Sequence, residues 1–134
     1  MTDRALIEQA IAAREMAYAP YSGFRVGAAL LGKSGKVYTG CNVENASYSP
    51  TNCAERTAFF KAVSEGEREF VSIAIVGGMS ETINDLCAPC GVCRQVMAEL
   101  CDKDFRVIMG NLDNIQTRTL EELLPLFFGK NDLE

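Results

Sequence analysis

Leu6, Ile7, Ala10, Ile11 and Met16 recur at helical spacing with charged residues between them, which predicts an amphipathic helix over residues 3–18, closed by Pro20. Residues 18–24 follow as a loop, because the residue before a proline is pushed out of the helical region and Gly23 permits a tight turn. Residues 26–31 and 37–43 are apolar and rich in strand formers, with residues 32–36 (Gly, Lys, Ser, Gly, Lys) as their hairpin connection. A loop over residues 46–52 leads into residues 53–65, which are rich in helix formers and stop at Gly66. Val71, Ile73, Ala74, Ile75 and Val76 make residues 70–77 a buried strand. After a polar loop over 79–88, Pro89 suits the first position of a helix that runs on through residues 95–100. Residues 105–109 form a further strand, and 115–117 a candidate fifth. Thr119 and Glu122 have capping-box spacing for a short helix that Pro125 ends. This alternation predicts an α/β fold, a three-layer α/β/α domain with a mixed sheet of about five strands and helices on both faces.

Composition narrows what such a domain does. A chain of 134 residues that is 48% apolar is one domain, residues 1–134, with enough material for a core. Without a charged-then-apolar leader or a run of membrane-spanning length, it is expected to be soluble and cytoplasmic, with no membrane partner. A formal net charge of −5 argues against nucleic acid as a partner, since phosphates need clustered Lys and Arg. In a reducing compartment the six cysteines read as metal ligands and buried thiols rather than disulfides. Gly27 to Ser34 matches the phosphate-loop pattern, but its variable positions read as a strand and no helix opens behind them, so nucleotide-triphosphate binding is not expected. Asn45, Ala46 and Ser47 match a glycosylation acceptor that a chain without a leader would not use.

Two cysteine stretches carry the chemistry. Cys90 and Cys93 have the spacing of a metal knuckle, and Cys53 offers a distant third sulfur, so two segments can converge on one zinc ion. A fourth position left to water would bring that water's pKa towards roughly 7, with Glu55, two residues after Cys53, as the proton carrier. Residues two apart on a helix do not share a face, so Cys53 and Glu55 converge only if the metal lies off the helix end. Cys87 stands three residues before Cys90, the same step as Cys90 to Cys93, so spacing alone leaves open a closed four-sulfur site and a purely structural zinc module. Cys41 and Cys101 read as buried thiols. Left to themselves, Phe24 reads as core, Asn42 and Glu44 as a polar strand end, and Arg56 as a solvated helix arginine.

Cys53, Ala54 and Glu55 together with Pro89, Cys90 and Cys93 resemble the signature of zinc-dependent nucleoside and nucleobase deaminases. The chain has no histidine, so it is similar to the all-cysteine branch. Over nearly its whole length, including residues 18–22, 42–45 and 122–125, it resembles the small homotetrameric cytidine deaminases. That resemblance implies one Zn2+ per subunit on Cys53, Cys90 and Cys93, with Glu55 catalytic and Arg56 hydrogen-bonded to ligand sulfurs. It implies that Phe24 and Ala54 meet the pyrimidine, that Asn42 and Glu44 meet the ribose, and that Tyr48 and Phe128 come from neighbouring subunits of a homotetramer with shared active sites. The implied activity is hydrolytic deamination of cytidine and deoxycytidine to uridine and deoxyuridine plus ammonia, a pyrimidine-salvage reaction in which zinc-bound hydroxide attacks and Glu55 shuttles the proton. A deaminase of another amino-heterocycle, such as a blasticidin-type nucleoside, is the alternative, although those proteins lack the stretch from Asn42 to Asn45.

Overall fold

The computed structural model describes residues 1–133. Helices α1 (Asp3–Arg14), α2 (Ala54–Ser64), α3 (Gly91–Leu100) and α4 (Leu120–Leu123) surround a sheet of strands β1 (Phe24–Gly32), β2 (Val37–Cys41), β3 (Phe70–Met79), β4 (Arg106–Asn111) and β5 (Asn114–Thr119). The strand order is β2-β1-β3-β4-β5; β3 and β4 are parallel and every other neighbouring pair is antiparallel. A parallel pair needs a crossover connection, and residues 80–105, with α3 inside them, supply it. The mixed five-stranded α/β sheet expected from the sequence is therefore present.

Side chains alternate across a strand, and here each face meets its own helices. Ala28, Leu30, Ile73, Ile75 and Val107 pack with Phe59 and Ala58 of α2 and Met97 of α3. On the other face Ala29, Ala74, Val76 and Ile108 pack with Leu6, Ile7 and Ala10 of α1. Covering both faces explains why β3 is a continuous apolar run rather than an alternating one. Helix α1 lies so close to β1 that a Cβ on Gly27 would stand 2.0 Å from the Ala10 carbonyl oxygen, so this contact requires glycine.

Several boundaries differ from those read in the sequence. Helix α1 stops at Arg14, not Tyr18, because residues 15–17 tighten into i to i−3 hydrogen bonds and Tyr18 instead bridges to Val43. Met16, placed on the apolar face by its spacing, is exposed as a result. Strand β2 ends at Cys41; Val43 leaves the sheet to pair with Tyr18 and Asn52. Strand β3 extends two residues further than expected, to Met79. Pro89 precedes the helix instead of opening it, and Cys90 is the N-cap of α3. The capping box of Thr119 and Glu122 forms as expected. The phosphate-loop look-alike lies in β1 and its hairpin, with no helix behind it.

Candidate metal centre and active site

Two helix N-termini meet at the sulfurs. Cys53 is the N-cap of α2 and Cys90 the N-cap of α3, each in extended conformation and neither using its side chain as a cap. Both sulfurs are thus turned away from their helices towards a common point, beside backbone N–H groups that favour negative charge. Cys93 joins them from the first turn of α3. The three Sγ atoms lie within 4.8 Å of one another, and Cys53 and Cys90 are 3.7 Å apart. Tetrahedral zinc with bonds near 2.3 Å holds its sulfurs about 3.8 Å apart, so the Cys53–Cys90 separation matches zinc and the third sulfur is close enough to join it.

The electrostatics favour thiolate. Cys53 is drawn down to about 5 by its hydrogen bond with Cys93, with burial opposing and Arg56 and Cys90 assisting. Cys93, as the donor in that pair and largely buried, is pushed strongly up. The cluster therefore shares protons that a divalent cation would displace. Arg56 Nη2 donates to Cys53 Sγ at 3.3 Å, so it is not the solvated helix arginine that its position suggests; its Nε is buried and has no partner among the described residues.

Glu55 faces the same place from the first turn of α2 and is only 4% exposed. Burial lifts its carboxyl to about 7, its own backbone N–H opposes, and the Cys53 thiolate adds to the rise. A carboxyl poised at neutrality can both take and give a proton. It opens on a cavity of about 260 Å³ whose walls include Phe24, Val26, Asn42, Glu44, Ala54 and Cys90. An adjoining pocket shares Ser22, Glu44 and Thr51 and adds Tyr21 and Tyr48.

Residues 1–109 match the family described as the cytidine and deoxycytidylate deaminase zinc-binding region. The chain belongs to that family. A cytidine deaminase from Halalkalibacterium halodurans is 56% identical, with 99% of this chain and 98% of that protein aligned. One from Sporosarcina psychrophila is 52% identical over 96% of this chain and 92% of its own length. The crystal structure of cytidine deaminase from Burkholderia pseudomallei superposes with a TM-score of 0.87 at 52% identity, covering 96% of this chain and all of that one. As in the rest of this deaminase family, zinc is the cofactor that the cysteine triad is positioned to bind.

The residues expected at the site are only partly brought together. Phe24, Asn42, Glu44, Ala54 and Glu55 line one cavity with Cys53 and Cys90. Tyr48 does not line it; it stands 81% exposed at the adjoining pocket. Phe128 belongs to neither pocket, and its carbonyl accepts from Gln95 on α3. Asn42 and Glu44 have structural duties as well. The Asn42 amide accepts from Val26 N–H and donates to the Phe24 carbonyl, both at 2.8 Å, completing the edge of β1. Glu44 accepts from the Tyr21 and Ser22 backbone N–H groups and the Ser22 hydroxyl, whose hydrogen bond keeps its carboxyl below the usual range. Val26, Thr51, Asn52 and Ala88 also line the cavity and went unread in the sequence. Thr51 and Asn52 had a signal, since they immediately precede Cys53.

Cys87 is outside the triad. Its sulfur faces Gly77 of β3, where an added Cβ would stand 2.7 Å away, and burial pushes its thiol up to about 12. Cys87→Ser should accordingly leave zinc stoichiometry at one per chain; metal analysis that found zinc lost would restore the closed four-sulfur site. Arg56→Ala should lower zinc affinity or activity by about 10–100-fold with an unchanged circular dichroism spectrum, as loss of a ligand's hydrogen-bond partner does elsewhere. Wild-type zinc retention and turnover would return Arg56 to the solvent-facing role.

Proposed function

We propose that the chain hydrolyses cytidine and deoxycytidine to uridine and deoxyuridine plus ammonia, with Cys53, Cys90 and Cys93 as zinc ligands and Glu55 as the proton carrier. The carrying observation is a buried carboxyl, poised near neutrality, in a cavity beside three convergent sulfurs. Zinc held by those sulfurs supplies a Lewis acid that makes a water acidic near neutral pH. Glu55 takes the water's proton and delivers it to the ring nitrogen, which prepares the amine-bearing carbon for attack by the oxygen. It then moves the proton of the newly attached hydroxyl to the amine, the carbon–nitrogen bond breaks as the carbonyl forms, and ammonia leaves. Phe24 and Val26 present apolar surface to the base, and the Ala54 backbone helps to hold it. Asn42 keeps one N–H and one lone pair beyond its bonds to β1, and Glu44 keeps acceptor capacity, so both can meet ribose hydroxyls. Their ties to the backbone hold them ready before substrate arrives.

Incubating the purified protein with cytidine, deoxycytidine and cytosine while following loss of the aminopyrimidine absorbance tests the reading. Both nucleosides should react and the free base should not; inertness towards both nucleosides, with turnover of another amino-heterocycle, would replace the substrate.

The same reading includes a single domain over residues 1–134 working in cytoplasmic pyrimidine salvage, as a homotetramer with shared sites. No described helix is long and apolar enough to cross a membrane. Leu126, at 103% exposure, and Phe128, at 54%, leave apolar surface after Pro125 that a monomer would present to water, and Tyr48 stands free beside the site. Sedimentation at low micromolar concentration should give four chains, with Tyr48 and Phe128 completing neighbouring sites. A fully active monomer would contradict it.

A further inference from the structure

Arg14, at the last position of α1, is 2% exposed and the most deeply buried charge among the described residues, yet none of the ion pairs among them includes it. Its guanidinium donates only to backbone. Nε reaches the Arg25 carbonyl at 2.9 Å, and Nη2 is shared among the carbonyls of Gly78 (2.8 Å), Ser80 (2.6 Å) and Thr82 (3.0 Å). A planar, permanently charged donor fork suits several converging carbonyls at once, which a lysine ammonium does less well.

None of those four acceptors lines the active-site cavity, but each lies on a segment that goes on to line it. Arg25 lies between Phe24 and Val26, which both line it. Gly78, the register partner of Arg25, lies at the end of β3, and Ser80 and Thr82 begin the connection that reaches Cys87, Ala88 and Cys90, which also line it. That connection is folded tightly at its start. Ser80 adopts a left-handed φ of 51°, and the Thr82 carbonyl turns back so closely over Gly78 that a Cβ there would stand 2.1 Å from its oxygen. Three carbonyls therefore point inward together, an arrangement that needs a buried cation or several donors to offset their desolvation. Farther along, Asn111 holds Asp85 and Arg94 Nε holds the Pro89 carbonyl at 2.8 Å, so the connection is tied down from Arg14 to the residue before Cys90.

We infer that Arg14 is a positioning residue for the active site: by tying Ser80 and Thr82 back to the paired ends of β1 and β3 at Arg25 and Gly78, it presets the segment that leads to Cys90, without touching metal or substrate. The inference rests on the deaminase reading for its consequence in catalysis, but not for its structural content. Its charge is felt at Cys87, where it opposes the upward push of burial on that thiol.

Arg14→Lys keeps the charge and the alkyl stem while losing the fork, and it is compared with wild type as zinc-loaded full-length protein. Amide hydrogen exchange over residues 78–90 should accelerate by about tenfold or more while the interior of β4 stays as protected as before. Zinc transfer to a chromogenic chelator should quicken by about tenfold, and KM for cytidine should rise. Unchanged exchange over 78–90, or an even loss of protection along the whole chain, would overturn the inference, as would failure of this variant to fold, which would make Arg14 a requirement of the core as a whole. If wild type proved inert towards cytidine, the proposed function would fall, while exchange and zinc release would still decide the role of Arg14.

Discussion

Glu55→Gln is expected to lower turnover of cytidine by about 10²–10⁴-fold while leaving zinc content and fold unchanged. The amide has the carboxyl's shape and fills the same buried position on the first turn of α2, so neither packing nor the sulfur triad should be disturbed. What it lacks is a proton that can be exchanged near neutral pH. The wild-type carboxyl is suited to that exchange because burial lifts it to about 7, with the Cys53 thiolate adding to the rise. Parallel measurement of bound zinc and of deamination separates the two roles. Near-normal activity in this variant would remove Glu55 from the mechanism, and loss of zinc would make it a ligand.

The second large effect is expected at a residue with no chemistry. Gly40→Ala should destabilise the protein by about 1–3 kcal/mol or more and weaken zinc binding with it. Gly40 pairs with Ala28 in the sheet, and the first turn of α2 rests directly on it. A Cβ at this position would stand 2.4 Å from the Ala54 carbonyl oxygen and 2.6 Å from the Ala58 nitrogen. Both are backbone atoms of the helix that begins after Cys53, so no side chain can swing aside and the helix itself must move. Cys53 and Glu55 ride on that end, which couples the packing fault to the active site. Urea unfolding together with zinc titration reads both consequences, and a variant with wild-type stability and affinity would show that α2 can shift without cost. The same reasoning applies to Gly27 beneath α1, where a Cβ would stand 2.0 Å from the Ala10 carbonyl oxygen and 2.5 Å from the Arg14 nitrogen, so the lost stability should come with a displaced Arg14.

Much of the site was legible before any coordinates. Cys90 and Cys93 announce a metal knuckle by spacing, and Glu55 beside Cys53 pairs a carboxyl with a sulfur ligand at the start of a helix. The requirement that the metal lie off the helix end follows from helix geometry, and the structure meets it by making Cys53 an N-cap. The roles of Cys87 and Arg56 were not legible in spacing, although the family resemblance left Cys87 out of the triad and put Arg56 on the sulfurs, as the structure does. Spacing gave Cys87 as good a claim as Cys90, and only the path of the 80–90 segment turns it towards Gly77. Arg56 looks like any charged residue on a helix surface until α3 brings Cys93 against the same sulfur.

The chain's own periodicities determined which segments are helix and which are strand, because those choices follow from local burial patterns, turn residues and caps. The continuous apolar run of β3 already required cover on both faces, and the capping box of Thr119 and Glu122 already set the start of α4. Tertiary structure alone decided where elements stop and what polar residues hold. Arg14, at the last position of α1, meets four carbonyls from segments up to 68 positions away, a contact that no local pattern encodes. Asn42 likewise completes the edge of β1 with both ends of its amide while facing the cavity, a double duty set by the antiparallel placement of β1 beside β2. Spacing along the chain specifies neighbours within one helix or strand; distances between segments depend on how whole layers pack, and the geometry of this site is made of those distances.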